Sequence, residues 1–403
     1  MKHPYSARSL IPALVVAAAL GASPAPAGAQ STDISQVPLG TASTTAVLPN
    51  LMFILDDSGS MGRAWMPDNV DANNTCKAYR NNSSGSTNRT NCIVDSGSVN
   101  TISPSTDSVR HVPSLEWPAG PPYFAAQFNT MYYNPQITYN PGKDGAGAEM
   151  PTYDNSAADR MWNAVKINPY VSTNTVDLTA QWPEPVFCDN SNDDPNSNAD
   201  CRRNGYDAAG TTLLASFRYS SAATPTDGTY GWPIATGSST DFRYIRMRFG
   251  TPHYFTILPR EHCADINLTD CVLSAIPTGL HTIPAPVRYC TTGPLANQDA
   301  AVTLGTPASC QSKIDSGHQF VRYGTFVRTD IVSGATFDGR PSRTDCASKP
   351  VCSFNEEMTN FANWFAYYHT RMQTMKSSAG RVFATMDDRY RIGFVTINAS
   401  NST

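Results

Sequence analysis

The run Leu51-Met52-Phe53-Ile54-Leu55, followed by Asp56-Asp57-Ser58-Gly59-Ser60, constrains this chain more than any other stretch. Five consecutive apolar residues predict a strand buried on both faces, as in the interior of a parallel sheet. The run stops at two aspartates. Asp56, Ser58 and Ser60 follow the spacing Asp-x-Ser-x-Ser, so a loop at the carboxyl end of the strand can aim one carboxylate and two hydroxyls at one point. Such an all-oxygen set suits a hard divalent cation: Mg²⁺, Mn²⁺ or Ca²⁺. In open α/β sheets this end of the strands is also where ligands bind. Three other readings compete. Asp, Ser and Gly form ordinary turns after any strand. A serine-protease nucleophile loop also carries Asp-Ser-Gly, but no histidine here sits in a partner motif. An aspartate-nucleophile phosphatase needs a second Asp where this chain has Ser58.

Upstream, Lys2 and Arg8 flank the apolar stretch from Leu10 to Leu20, and Ala27-Gly28-Ala29 offers a small-residue cleavage site before Gln30. This predicts an export signal over residues 1–29. Its apolar core is too short to span a bilayer, and no later segment reads as a membrane span. Without Lys2 and Arg8, the 29 lysines and arginines fall to 27 against 33 acidic residues. That balance argues against nucleic acid or an anionic membrane as the main partner.

The α/β pattern calls for a helix after Gly62, and none is predicted there. A long segment rich in Asn, Ser, Thr, Pro and Gly follows, with strand-like runs at Thr175–Trp182, Phe242–Phe249, His253–Leu258 and Gln319–Val332. The second and third flank Gly250-Thr251-Pro252, which predicts two strands joined by a turn. All ten cysteines fall in this segment. An even set in an exported chain reads as disulfides. The simplest of many connectivities is local: Cys76/Cys92, Cys188/Cys201, Cys263/Cys271, Cys290/Cys310 and Cys346/Cys352. Each would stabilise its loop by roughly 3 kcal/mol on the chain-entropy estimate. A zinc site on His262, Cys263 and Cys271 is the alternative, but it lacks the CxxC spacing that would mark it. Asp189, Ser191, Asp193 and Asp200 match calcium-loop positions, yet Asp194-Pro195 stands where such loops need Gly, so a solvated acidic loop is expected.

A helix arrives late. Ser353 and Glu356 make a capping box. Phe361, Trp364, Phe365, Tyr368, Met372, Met375, Ala379, Val382 and Met386 recur at three- and four-residue steps, which predicts one amphipathic helix, bent at Gly380 and ended by Asp387-Asp388. Arg391-Ile392-Gly393-Phe394-Val395-Thr396-Ile397 then predicts a second buried strand, completing a right-handed strand–helix–strand crossover.

The interrupted pattern resembles the N-terminal region of PilY-type proteins, the tip-associated adhesin and biogenesis factors of type IV pili. Their adhesion domain has the von Willebrand factor A fold with a metal-ion-dependent adhesion site. Beyond Asp56-x-Ser58-x-Ser60, the resemblance rests on Asp33-Ile34-Ser35-Gln36-Val37-Pro38-Leu39, Tyr132-Tyr133-Asn134-Pro135 with Tyr139, and Arg343-Thr344-Asp345-Cys346 leading to Cys352. Its most specific part is Glu356-Glu357-Met358-Thr359-Asn360-Phe361-Ala362-Asn363-Trp364-Phe365-Ala366-Tyr367-Tyr368-His369-Thr370-Arg371-Met372. The resemblance implies an α/β chain with a partial von Willebrand factor A-like, Rossmann-like sheet. Residues 30–62 would give the first strand and metal loop, 63–352 a disulfide-rich, β-rich irregular insertion, and 353–403 the first helix and second strand. The family's Thr loop, later Asp loop and C-terminal propeller are not found, which leads to the expectation of a fragment or truncated product.

What this implies is adhesion or pilus assembly, not catalysis. A divalent ion on Ser58 and Ser60, with Asp56 bound directly or through water, would leave a position for an acidic group of a pilus minor subunit or a surface receptor. The protein would sit at the cell surface, pilus tip or outer membrane after crossing the periplasm. A secreted hydrolase with its site in the insertion, or a structural subunit with a silent metal loop, are the alternatives.

Overall fold

Ser353 and Glu356 start the first long helix by reciprocal hydrogen bonding. The computed structural model describes residues 48–64, 66, 121–171, 174–188, 194, 196–207, 209–219, 230–232, 244–291, 309–315, 317–318 and 320–397. In it the Ser353 side chain accepts from Glu356 N, and the Glu356 carboxylate accepts from Ser353 N at 2.7 Å. The export signal, Asp33–Leu39, Cys76, Cys92 and the core of the acidic loop, residues 189–193, lie outside the described residues.

The helix so capped, α1 (Phe354–Tyr368), is buried nearly all round rather than along one face. Phe361, Ala362, Trp364, Phe365, Ala366 and Tyr367 are inaccessible or nearly so, which marks a helix at the centre of a core. The aromatic side chains that surround it come from the long segment. Trp182 meets Phe361 edge-on at 4.9 Å, and Tyr132 meets Trp364 at 5.0 Å. Polar residues of α1 are buried with it, and each finds a backbone or side-chain partner in that segment. Asn360 Oδ1 accepts from Tyr139 N at 2.7 Å, Asn363 Oδ1 from Tyr153 N at 3.0 Å, and Trp364 Nε1 donates to Met131 O at 3.0 Å.

The predicted single helix is two. It breaks at His369–Thr370, not at Gly380, and α2 runs Arg371–Phe383, short of Asp387-Asp388. Thr370 has an extended backbone and its hydroxyl accepts from Gln373 N, so a local cap replaces helix continuation. The last four carbonyls of α1 lack intrahelical partners. Three are taken by side chains of α2 and its cap region: Gln373 Nε2 donates to Ala366 O, Ser377 Oγ to Tyr367 O and Thr374 Oγ1 to Tyr368 O. His369 Nδ1 meets the fourth, Phe365 O.

The rest is sheet-rich, so the class is mixed α/β. Trp182–Cys188 lies between Cys201–Arg203 and Tyr244–Gly250, antiparallel to both. Its Pro183 and Pro185 fall where only Tyr244–Gly250 is alongside, since Cys201–Arg203 pairs from Val186 onward. A proline lacking an N–H is tolerated there because, among the described residues, no strand pairs with that flank. His253–Leu258 does not fold back on Tyr244–Gly250 as a hairpin; it pairs antiparallel with Thr325–Asp330. Val287–Cys290 sits between Cys310–Gln311 and Phe320–Tyr323. Glu261–Cys263 sits between Cys271–Leu273 and Ile283–Pro284. Among the described residues no helix is long and apolar enough to cross a membrane.

The local disulfide reading holds for the three pairs the structure describes in full: Cys263–Cys271, Cys290–Cys310 and Cys346–Cys352. The zinc alternative is excluded with them, because Cys263 and Cys271 bond each other and His262 Nδ1 lies 2.8 Å from Ser274 O. Cys201 is also disulfide-bonded, and Cys188 stands directly opposite it in the strand register.

The first and last strands, Asn50–Leu55 and Arg391–Thr396, pair in parallel, Leu51 opposite Ile392 and Leu55 opposite Thr396. Between them in sequence lie α1 and α2. Phe53 packs edge-on against Phe383 of α2 at 5.1 Å. Neither strand is buried as predicted: Met52 is 63% exposed, Ile54 64% and Phe394 64%. Among the described residues each has the other as its sole sheet neighbour, so α2 covers part of the pair and the remaining apolar side chains meet solvent.

Three buried glutamates are neutralised by arginine. Glu184 meets Arg203, Arg248 and Arg328; Glu261 meets Arg288 and Arg322; Glu357 meets Arg343 at 2.8 Å. Burial pushes the Glu357 carboxyl upward against the pull of Arg343 and a hydrogen bond from Tyr133. Replacing Arg343 by Met leaves that carboxylate uncompensated, and breaking a buried pair in this way costs about 3–5 kcal/mol. Denaturant unfolding of Arg343→Met at neutral pH is expected to show that loss. His253, stacked on Phe124 at 5.3 Å, is lowered to about 4 by burial and by Arg328. Between about 6.5 and about 4 the unfolded chain therefore binds the extra proton, and stability falls as pH falls, by up to about 1.4 kcal/mol per unit. Unfolding followed across that window should show the slope, and His253→Phe should flatten it.

Candidate metal-binding loop

The strand Asn50–Leu55 delivers its last residue to a loop that is tied down on both sides. Ile397 N donates to Leu55 O at 3.0 Å, and Arg371 N, at the start of α2, donates to Arg63 O at 3.1 Å. Between these anchors the chain makes an Asp turn and then a short 3₁₀ turn, Gly59–Gly62. Asp56 Oδ1 accepts from Ser58 N at 2.9 Å, Met61 N donates to Ser58 O at 2.9 Å, and Arg63 N donates to Ser60 O at 3.1 Å. Asp and Ser are the residues that close such turns through their own side chains.

These bonds bring all three candidate ligands of the Asp-x-Ser-x-Ser spacing together. The Ser58 and Ser60 hydroxyl oxygens are 2.8 Å apart, and the Asp56 carboxylate is bonded to the backbone of Ser58. A side-chain hydrogen bond from Ser58, reinforced by the one from its backbone, holds the Asp56 carboxyl below its ordinary range. The carboxylate is thus kept ionised beside two neutral oxygens, all three half-buried at the end of a parallel strand pair. The donor chemistry fits Mg²⁺, Mn²⁺ or Ca²⁺, which take oxygen ligands and, for Mg²⁺, retain several waters. It does not fit zinc, for which thiolate and imidazole are the usual protein ligands. Among the described residues there is no cluster of three or more His, Cys, Asp or Glu, so a hard-cation site here has to draw on hydroxyls.

Three of the segments that carry the resemblance meet around Glu357. Tyr133 OH donates to Glu357 Oε1 at 2.8 Å and accepts from Asn360 Nδ2 at 3.0 Å. Arg343 joins Glu357 to Asp345, and Thr138 Oγ1 donates to Asp345 at 2.6 Å. Their geometry is that of a buried polar lock between α1 and the long segment, not of a ligand site.

One constellation has no counterpart in the sequence reading. Ser309 Oγ lies 3.0 Å from His318 Nε2, and His318 Nδ1 lies 2.9 Å from Asp315 Oδ1. Asp315-x-x-His318 is a visible local pair, but nothing in the chain order announces Ser309 as its third member.

Comparison with known families, characterised proteins and solved structures finds no significant match. The loop is therefore tested by its own chemistry. Calorimetric titration with Mg²⁺ or Mn²⁺ is expected to show weak binding, since only one charged ligand is present. Asp56→Ala should abolish it, and Ser58→Ala should weaken it about tenfold, or about 1.4 kcal/mol.

Proposed function

We propose that this chain is an exported, PilY-type adhesin or biogenesis factor of type IV pili, acting at the cell surface, the pilus tip or the outer membrane. In this reading the Asn50–Leu55 and Arg391–Thr396 strands and the helices between them belong to a von Willebrand factor A-like domain, and the cysteine-rich segment is an insertion within it. The observation that carries the proposal is the convergence of Asp56, Ser58 and Ser60 at the carboxyl end of a parallel strand. Further support comes from the meeting in space of Tyr133, Arg343 and Asn360, which belong to three of the segments that carry the sequence resemblance. The three described disulfides suit an oxidising compartment.

Asp56 supplies the negative charge, and the Ser58 and Ser60 hydroxyls supply neutral oxygens that leave part of a cation's charge uncompensated. A bound divalent cation would present that charge to an acidic group on a pilus minor subunit or a surface receptor. Adhesion of this kind makes and breaks no covalent bond, and it needs neither nucleic acid nor a membrane span.

Attachment of piliated cells carrying the full-length protein tests the reading. Asp56→Ala and Ser58→Ala are expected to lower attachment to the level seen for wild type with a chelator, with export and disulfides unchanged. If both variants attach like wild type and attachment ignores the chelator, the loop is a turn and the protein is a structural subunit.

A further inference from the structure

We propose that Ser309, His318 and Asp315 form a nucleophile–base–carboxylate relay able to hydrolyse a small, solvent-accessible ester. The proposal is independent of the metal loop. It rests on how the three-stranded sheet brings the residues ahead of two of its strands to one end. Cys310–Gln311 and Phe320–Tyr323 both run antiparallel to Val287–Cys290, and Cys290 is the register partner of both Cys310 and Phe320. Ser309, one residue before its strand, and His318, two residues before its own, therefore stand at the same end of the sheet. The Cys290–Cys310 disulfide and the hydrogen bond from Thr291 N to Ser309 O fix the serine side. Asp315 fixes the histidine side, accepting from Gly317 N at 2.8 Å and His318 N at 2.7 Å, while Gln311 Nε2 donates to its other oxygen.

The bonding order is that of a proton relay. Asp315 is an ionised acceptor, drawn down to about 2 chiefly by its bond with the His318 side chain. His318 Nδ1 therefore carries the imidazole proton, and Nε2 presents its lone pair to the Ser309 hydroxyl. A loop staple alone does not call for this last contact, because Asp315 already closes the turn through three other donors. Ser309 is exposed, and the His318 side chain is 21% exposed, so an ester carbonyl can reach the hydroxyl from solvent.

In the first step Ser309 Oγ bonds to the acyl carbon as its proton passes to His318 Nε2. The oxyanion then collapses, the ester C–O bond breaks, and the leaving alkoxide takes the proton from His318. In the second step water adds to the acyl-serine and gives a proton to His318 Nε2. Collapse releases the carboxylic acid and returns the proton to Ser309 Oγ. Ser309 is the nucleophile and His318 the general base; Asp315 is a positioning residue. General-base assistance of this type contributes about 10²–10⁴-fold.

The test uses the whole chain with its disulfides intact and a fluorophosphonate probe, which bonds phosphorus to serine oxygen as fluoride leaves and the hydroxyl proton passes to the base. Peptide mapping is expected to find Ser309 labelled at least 100-fold faster than other exposed serines, with matching release of 4-nitrophenolate from 4-nitrophenyl acetate. Ser309→Ala should abolish both signals, and His318→Gln should slow labelling at least 100-fold. Asp315→Asn should slow it about tenfold, with partial recovery in Asp315→Glu. The relay is overturned if Ser309 labels no faster than other serines while Cys290–Cys310 is intact by non-reducing mapping. It is equally overturned if His318→Gln labels as fast as wild type.

Discussion

The contact between Glu357 and Arg343 is the one on which the remaining core depends. Both side chains are fully buried, and each has further partners that tie separate parts of the chain together. Glu357 belongs to α1 and also accepts from Tyr133; Arg343 also donates to Pro135 O and grips Asp345, which holds Thr138. A buried ion pair is not in itself a strong source of stability, because desolvation offsets much of its attraction. What it supplies here is register. Only one placement of residues 131–139 along α1 lets Tyr133 reach Glu357 while Asn360 reaches Ile137 O and Tyr139 N. A slide of α1 by one turn would strand a carboxylate, two amides and an indole N–H without partners, at about 1–3 kcal/mol for each neutral group.

This explains which parts of the architecture were legible in the sequence. The capping box at Ser353 and Glu356 was readable because it needs only residues three apart. The Cys263, Cys290 and Cys346 bridges were readable for a related reason, since each closes a short loop. The break between α1 and α2 was not. Apolar residues continue at helical spacing across His369–Thr370, and the signal that wins is a polar one: Thr370, Gln373, Thr374 and Ser377 cap both helices at once. The two strands expected around Gly250-Thr251-Pro252 are present, but they pair with Trp182–Cys188 and Thr325–Asp330 rather than with each other, over seven and six paired residues. The two apolar strands were recognised from composition, but their burial depends on neighbours, which composition does not supply.

The two candidate sites differ in the same way. Asp56, Ser58 and Ser60 fall within five consecutive positions, so one turn suffices to bring them together and the spacing alone announces it. Ser309 reaches His318 only because two short strands flank Val287–Cys290 and begin at the same end. No periodicity or motif encodes that juxtaposition, and a reading that asks for familiar context around a serine passes over it.

The helix break also bears on the candidate metal loop. In a continuous helix Arg371 N would be committed to the carbonyl of Tyr367, four residues back. Because α2 instead starts at Arg371, that N–H is one of the unpaired donors of a helix N-terminus, and it reaches Arg63 O at the far end of the loop. The Tyr367 carbonyl it would have occupied is taken by Ser377 Oγ. Thus the same substitution of side-chain caps for helix continuation satisfies the end of α1, starts α2, and anchors the segment bearing Asp56, Ser58 and Ser60. An aligned helix N-terminus also carries partial positive charge. Its first N–H is bonded to the far end of the loop, so under the proposed reading a cation would be held by the Asp56 carboxylate against that field. Under the proposed reading, one carboxylate and two hydroxyls in such a setting would bind a divalent ion weakly and leave it electrophilic toward an anionic partner, the balance a reversible adhesion contact requires.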